Sequence, residues 1–105
     1  MEGCVFCKLI KGEIPRKFEY EDDKVVAFKS NKPAAEVHLL IVPKNHVTTF
    51  MELNDEILAL KEAAQKLIKD RNLVDGYRLC FNGGKYQEVP HVHLHLLAGK
   101  IDSYT

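Results

Sequence analysis

Three of the five histidines fall in one short run, Pro90-His91-Val92-His93-Leu94-His95-Leu96-Leu97. Strand periodicity sets His91, His93 and His95 on one face and Val92, Leu94 and Leu96 on the other. The apolar face can pack on a helix. The opposite face then carries three imidazoles in a row, about 6–7 Å apart at each step. An imidazole titrates at pKa ~6.5, so its lone pair is available near neutrality. Three chemistries compete for such a row. One is a solvated, histidine-rich face. A second is a mononuclear metal site, since His-x-His on a strand supplies two ligands. The third is nucleophilic attack by imidazole on a phosphorus or acyl centre, with neighbouring histidines holding its tautomer and binding the oxyanion. No Ser or Cys nearby is better placed, which favours histidine itself as the nucleophile.

The preceding segment, Asn82-Gly83-Gly84-Lys85-Tyr86-Gln87-Glu88-Val89, adds to this reading. Gly83 and Gly84 permit unusual backbone angles and a close approach by a ligand. Backbone N–H groups in such turns can bind anions. Asn82 and Gln87 bring neutral amides that can donate to phosphate oxygens. A second constellation lies at the start of the chain. Cys4-x-x-Cys7 fits two ligands of a tetrahedral zinc site, and no further Cys pair could complete it, so histidines would have to. Two unligated thiols are an alternative. A thioredoxin-like redox pair is another, although no leading strand and long following helix surround it. Cys80, in the alternating run Tyr77 to Phe81, reads as a small buried hydrophobe.

The elements that must position these groups are legible in outline. Cys7 to Lys11 suits a short helix ended by Gly12 and Pro15. Lys17 to Tyr20 and Val25 to Phe28 read as strands around the turn Glu21-Asp22-Asp23-Lys24. Glu36 to Val42 reads as a strand closed by Pro43. Asn54 is a candidate N-cap for one long helix, with Ile57, Leu60, Ala64, Leu67 and Ile68 as its apolar stripe down to about Arg71. Tyr77 to Phe81 and Pro90 to Leu97 supply two more strands. About five strands with one long and one short helix, joined by short turns, predict an antiparallel sheet and an α+β class. The 105 residues suffice for one domain, residues 1–105, and 46% hydrophobic with 29% charged residues excludes disorder. Lys+Arg and Asp+Glu both number 15, so the net charge is zero, against a general nucleic-acid binder. No apolar run is long enough to span a membrane. The three cysteines, and an opening without signal-peptide character, predict a cytoplasmic protein.

Taken in order along the chain, these motifs resemble the histidine triad (HIT) superfamily. His91-Val92-His93-Leu94-His95-Leu96-Leu97 matches the His-φ-His-φ-His-φ-φ signature. Cys4 to Pro15, Tyr20 to Asp23, Ala27-Phe28, His38 to His46 and Gly76-Tyr77-Arg78 also stand in the family's order, with the Hint-like nucleotide-binding proteins as the branch most similar. The resemblance implies a HIT fold whose sheet continues across a homodimer. It implies hydrolysis or transfer at the α-phosphate of a nucleotide, such as a purine nucleoside phosphoramidate. On that pattern His93 is the nucleophile, His95 contacts the phosphate, His38 supports the network and His91 orders the site. Asn82 and Gln87 match contacts to phosphate and sugar, and Phe28 matches a wall of the base pocket. Ser30, Asn31 and Glu88 complete the expected substrate-binding set. Zinc-bearing members imply a structural site made by Cys4, Cys7, His46 and His91. Three positions depart from the pattern. Ser30 stands where an acidic residue grips the ribose hydroxyls, and Glu88 stands where a serine sits near the leaving group. The tail Ala98 to Thr105 lacks the usual Trp. A nucleotide-binding module with negligible turnover and a dinucleoside polyphosphate hydrolase are the competing readings.

Overall fold

The computed structural model describes residues 3–102; Ser103, Tyr104 and Thr105 of the tail lie outside the described residues. Five strands make one antiparallel sheet: β1 (Tyr20–Glu21), β2 (Val25–Lys29), β3 (Ala35–Pro43), β4 (Arg78–Phe81) and β5 (Leu94–Ile101), in the spatial order β1-β2-β3-β5-β4. Helix α1 (Val5–Ile10) precedes the sheet, and α2 (Glu56–Asp70) joins β3 to β4. This is the α+β arrangement that the pattern predicted. Among the described residues no helix is long and apolar enough to cross a membrane.

The strands are apolar on both faces because each face has its own cover. Val25, Ala27, Leu39, Ile41, Leu94 and Leu96 pack against Ala59, Leu60, Ala63, Ala64, Leu67 and Ile68 of α2. Val26, Phe28, Leu40 and Val42 point the other way, onto Cys4, Phe6, Cys7 and Leu9 in and beside α1. A fully buried leucine such as Leu60 contributes about 1.5–3 kcal/mol, so the α2 side is a conventional apolar core. By the same alternation His38 shares the α1 side with Leu40, and His95 pairs across β3–β5 with Leu40.

Several boundaries differ from expectation, each for a local reason. The first helix starts at Val5, because Cys4 caps it: its Sγ accepts from the Cys7 N–H at 3.4 Å. Only Tyr20 and Glu21 form β1, while Phe18 leaves the strand path to pack on the α1-side cluster. Asp55, not Asn54, stands at the N-cap position of the long helix without a side-chain capping bond, and the Glu56 carboxylate accepts from the Asn54 N–H at 3.1 Å. Ile57 sits outside the buried stripe, 39% exposed. Asn72, at φ 58°, takes the left-handed conformation that stops α2. Cys80 is half-buried on the edge strand, its thiol directed to Asn82 Oδ1 at 3.4 Å, so the expectation of a buried hydrophobe fails there. The largest correction concerns the histidine run. β5 begins at Leu94, where its registers with both β3 (Ile41) and β4 (Phe81) begin. His91, Val92 and His93 precede it and are tied elsewhere: His91 N donates to Val89 O at 2.8 Å and Val92 N to Val47 O at 2.7 Å. The strand also runs on to Ile101, through residues read as a tail.

Candidate functional site

The three histidines do not form a straight row. His93 and His95 stay together, with ring centroids 4.8 Å apart, and His38 joins them from β3. Hydrogen bonds set the tautomer of each neutral ring. The Ala34 N–H donates to His38 Nδ1 at 3.0 Å, so the proton of His38 sits on Nε2 and is donated to His95 Nδ1 at 2.9 Å. His95 must then carry its own proton on Nε2. Asn82 Nδ2 lies 3.3 Å from that atom; both are donors, so the contact is a shared approach to one acceptor and not a hydrogen bond between them. His93 Nδ1 lies 2.9 Å from the His91 carbonyl, which only accepts, so Nδ1–H donates and the lone pair is left on Nε2. Burial holds these rings neutral. It lowers the pKa of His38, and it lowers His93 against the opposing pull of the His91 carbonyl and the Glu88 charge. His95 is pushed down to about 4, first by burial and then by His93 and His38.

Phe28, Ser30, Asn31, His38, Asn82, Glu88, His93 and His95 line one cleft of about 390 Å³. Phe6, from α1, stands edge-on to His93 at 5.1 Å and to Phe28 at 5.4 Å. Gln87 does not line the cleft. Its Nε2 donates to the carbonyls of Thr48 (2.6 Å) and Val89 (2.9 Å) and so clamps the loop that leads to the histidines. Phe6 and Arg16 line the cleft as well, and sequence reasoning passed over both. Phe6 lies between two cysteines that drew the attention, and Arg16 follows a proline with nothing local to mark it.

His91 is fully buried and turned away from the cleft. Its Nε2–H donates to the Pro43 carbonyl at 2.8 Å, which leaves the lone pair on Nδ1. That lone pair faces Cys4 Sγ at 3.4 Å and Cys7 Sγ at 3.6 Å. His46 Nδ1 approaches Cys7 Sγ at 3.2 Å, while its Nε2 lies 3.3 Å from the Thr48 hydroxyl. One ligand atom from each of Cys4, Cys7, His46 and His91 lies within 4.8 Å of the others, and the group could hold a metal ion. The donor chemistry fits a cation. Burial raises the Cys7 thiol, and the adjacent Cys4 adds to that, so the Cys7 thiol resists ionising unless a positive charge joins it. Two thiolates and two imidazoles with outer hydrogen bonds match a closed structural zinc site.

A family model described as the HIT domain matches residues 11–102. The purine nucleoside phosphoramidase of Escherichia coli (strain K12) is 37% identical over 110 residues, covering 94% of this chain and 89% of that protein. A 14 kDa zinc-binding protein of Zea mays is 41% identical over 104 residues, covering 91% and 81%. Among solved structures, a HIT family hydrolase from Clostridium thermocellum superimposes with a TM-score of 0.90 at 42% identity, covering 100% of this chain and 96% of that one.

Proposed function

The chain belongs to the HIT domain family, and from that premise we propose that residues 1–105 act as one domain that hydrolyses or transfers at the α-phosphate of nucleoside phosphoramidates or related nucleotidyl conjugates. The observation that carries the reading is the 2.9 Å bond from His93 Nδ1 to the His91 carbonyl, which frees His93 Nε2 inside the cleft. Nε2 attacks the α-phosphorus. The bond from phosphorus to the leaving nitrogen breaks, and the amine departs with that electron pair and a proton drawn from solvent. Water then attacks the nucleotidyl-histidine, releasing the nucleoside monophosphate and restoring the imidazole. His95 Nε2–H and Asn82 Nδ2 donate to the phosphoryl oxygens, and His38 holds the His95 tautomer. Phe28, Ser30 and Asn31 face the nucleoside.

Glu88 supports an amine as the leaving group. A carboxylate whose charge bears on His93 favours a group that leaves as a cation and repels one that leaves as a polyphosphate. This weighs against the dinucleoside polyphosphate reading. Zinc bound by Cys4, Cys7, His46 and His91 supplies a structural tie between the N-terminal helix and the chain entering β5. β4 is an edge strand with Tyr77 and Leu79 exposed beside and on it, which supports a homodimer sharing the sheet. Light scattering then gives twice the 12.0 kDa chain mass. Free cysteines and zero net charge suit the cytoplasm and a small-molecule partner, with no nucleic-acid or membrane partner.

The test is to quench the protein during turnover of adenosine 5′-phosphoramidate and map the adduct by peptide mass. A nucleotidyl group on His93 is expected. An adduct on another residue defeats the assignment, and saturable binding with neither adduct nor turnover establishes the binding-module alternative.

A further inference from the structure

We propose that Arg16 makes an anion site in the cleft, so that the preferred ligand is a nucleotide bearing a second phosphate on its sugar. The inference rests on the functional reading above and narrows its substrate class. Arg16 is held in place by neutral groups. Its two terminal nitrogens donate to the Lys29 carbonyl and to Asn31 Oδ1, each at 2.8 Å, and its Cζ lies 5.2 Å from the Phe28 ring centroid. Two of the five guanidinium N–H groups are thereby used, and the rest remain for a ligand. Among the described residues the ion pairs are Lys44–Glu21 and Arg71–Glu19, and no carboxylate pairs with Arg16. Lys32 lines the same cleft, and the single carboxylate in the lining is Glu88. A preorganised guanidinium with no counter-charge, on the wall of a cleft, is matched by an anionic group that accepts a forked hydrogen bond.

The reacting phosphate does not meet this need. Arg16 lies on Phe28, Phe28 meets Phe6 at 5.4 Å, and Phe6 meets His93 at 5.1 Å. Among the described residues Arg16 makes its contacts to Lys29, Asn31 and Phe28 and none to His93, so the anion it takes is assigned as a second one, apart from the phosphorus bonded to His93 Nε2. The sugar is its natural carrier, because Arg16 is bonded to Asn31, in the segment read as facing the sugar. Free sugar hydroxyls are best gripped by a carboxylate, which accepts from O–H groups, and residues 30–32 (Ser30, Asn31, Lys32) contain none. A guanidinium only donates. The same exchange of acid for arginine separates dinucleotide sites that take a free 2′-hydroxyl from those that take a 2′-phosphate.

The experiment is equilibrium binding of adenosine 5′-monophosphate, adenosine 5′-diphosphate and the 2′,5′- and 3′,5′-bisphosphates to the full chain. One bisphosphate is expected to bind about tenfold or more tightly than the monophosphate, the size of a charge-assisted contact. That ratio should collapse toward one in Arg16→Gln, survive in part in Arg16→Lys, and fall by a smaller factor in Lys32→Ala, which keeps the proposal testable if the arginine variants fold poorly. Equal binding of mono- and bisphosphates by the wild type overturns the proposal, as does a ratio that persists in Arg16→Gln. An Arg16-dependent gain for the diphosphate alone also overturns it, by moving the anion off the sugar. Failure of every nucleotide to bind would remove the functional reading as well, a pattern distinct from equal binding.

Discussion

His91 and His93 are two residues apart on the same stretch of backbone, yet they serve different chemistries. His91 gives its Nε2 proton to the Pro43 carbonyl and turns Nδ1 to two thiols. His93 gives its Nδ1 proton to the His91 carbonyl and turns Nε2 to the cleft. The rings are chemically identical, and the carbonyl that each one meets decides which nitrogen keeps the lone pair. The backbone of His91 is thus common to both sites: its side chain belongs to the metal group and its carbonyl orients the nucleophile. A metal that fixes His91 would also fix the acceptor that sets the His93 tautomer.

The sharpest way to separate the two sites is to remove one imidazole from each. His93→Ala should lower turnover of a nucleoside phosphoramidate by about 10^6-fold, the scale seen when a catalytic nucleophile is deleted, while metal content measured on the purified protein stays at the wild-type level. Turnover within tenfold of wild type would show that the cleft works without this ring. Cys7→Ser should do the reverse. Metal content should fall, and thermal unfolding should shift by an amount equivalent to about 3 kcal/mol, because the ligands tie α1 to β3 and to the entry of β5. Wild-type protein that is free of metal and loses no stability to a chelator would end the zinc assignment.

A smaller effect is expected within the imidazole cluster itself. His38 touches the ligand cleft, but its clearest function is to donate to His95 Nδ1 and so keep the His95 proton on Nε2. His38→Ala should reduce kcat by about 10–100-fold with little change in KM, and leave metal content alone. A change confined to KM would mean that His38 only binds.

The contrast between the two clusters also explains what could be seen in the sequence. His93, His95 and the Cys4–Cys7 pair were legible because residue type and spacing carry their chemistry, His38 came from the family resemblance alone, and the sheet around them followed from alternation in Val25 to Phe28 and Glu36 to Val42. The place of His91 in the metal group followed from the family resemblance, but the break in the strand before Leu94 that turns it away from His93 was not legible. It depends on Val92 N bonding to Val47 O, a contact between distant segments, which keeps the run from joining β5 before Leu94. Gln87 looked like a phosphate contact for the same reason that it clamps the loop: a primary amide suits either, and only the positions of the Thr48 and Val89 carbonyls decide. Arg16 carried no local signal, since its meaning comes from Asn31 and Phe28, which folding brings to it.

The smallest expected effect concerns acid. His95 has its pKa pushed down to about 4, and burial lowers His38 in the same direction. An unfolded histidine takes a proton at about 6.5. Between these values the unfolded chain binds a proton that the native cluster refuses, so stability rises with pH across that interval. The contribution is therefore whole above about pH 7, is lost as pH falls from roughly 6.5 toward 4, and changes no further below that. At pH 5 the loss from His95 should be about 1–2 kcal/mol. Acid also removes metal from thiolate and imidazole ligands, with the same sign, so the wild-type curve alone would mix the two clusters. The difference between wild type and His95→Asn isolates one of them, because both proteins keep Cys4, Cys7, His46 and His91. Urea unfolding at pH 7 and pH 5 should show a smaller acid loss for His95→Asn. Parallel losses in the two proteins would mean that His95 is not held neutral at a cost to stability.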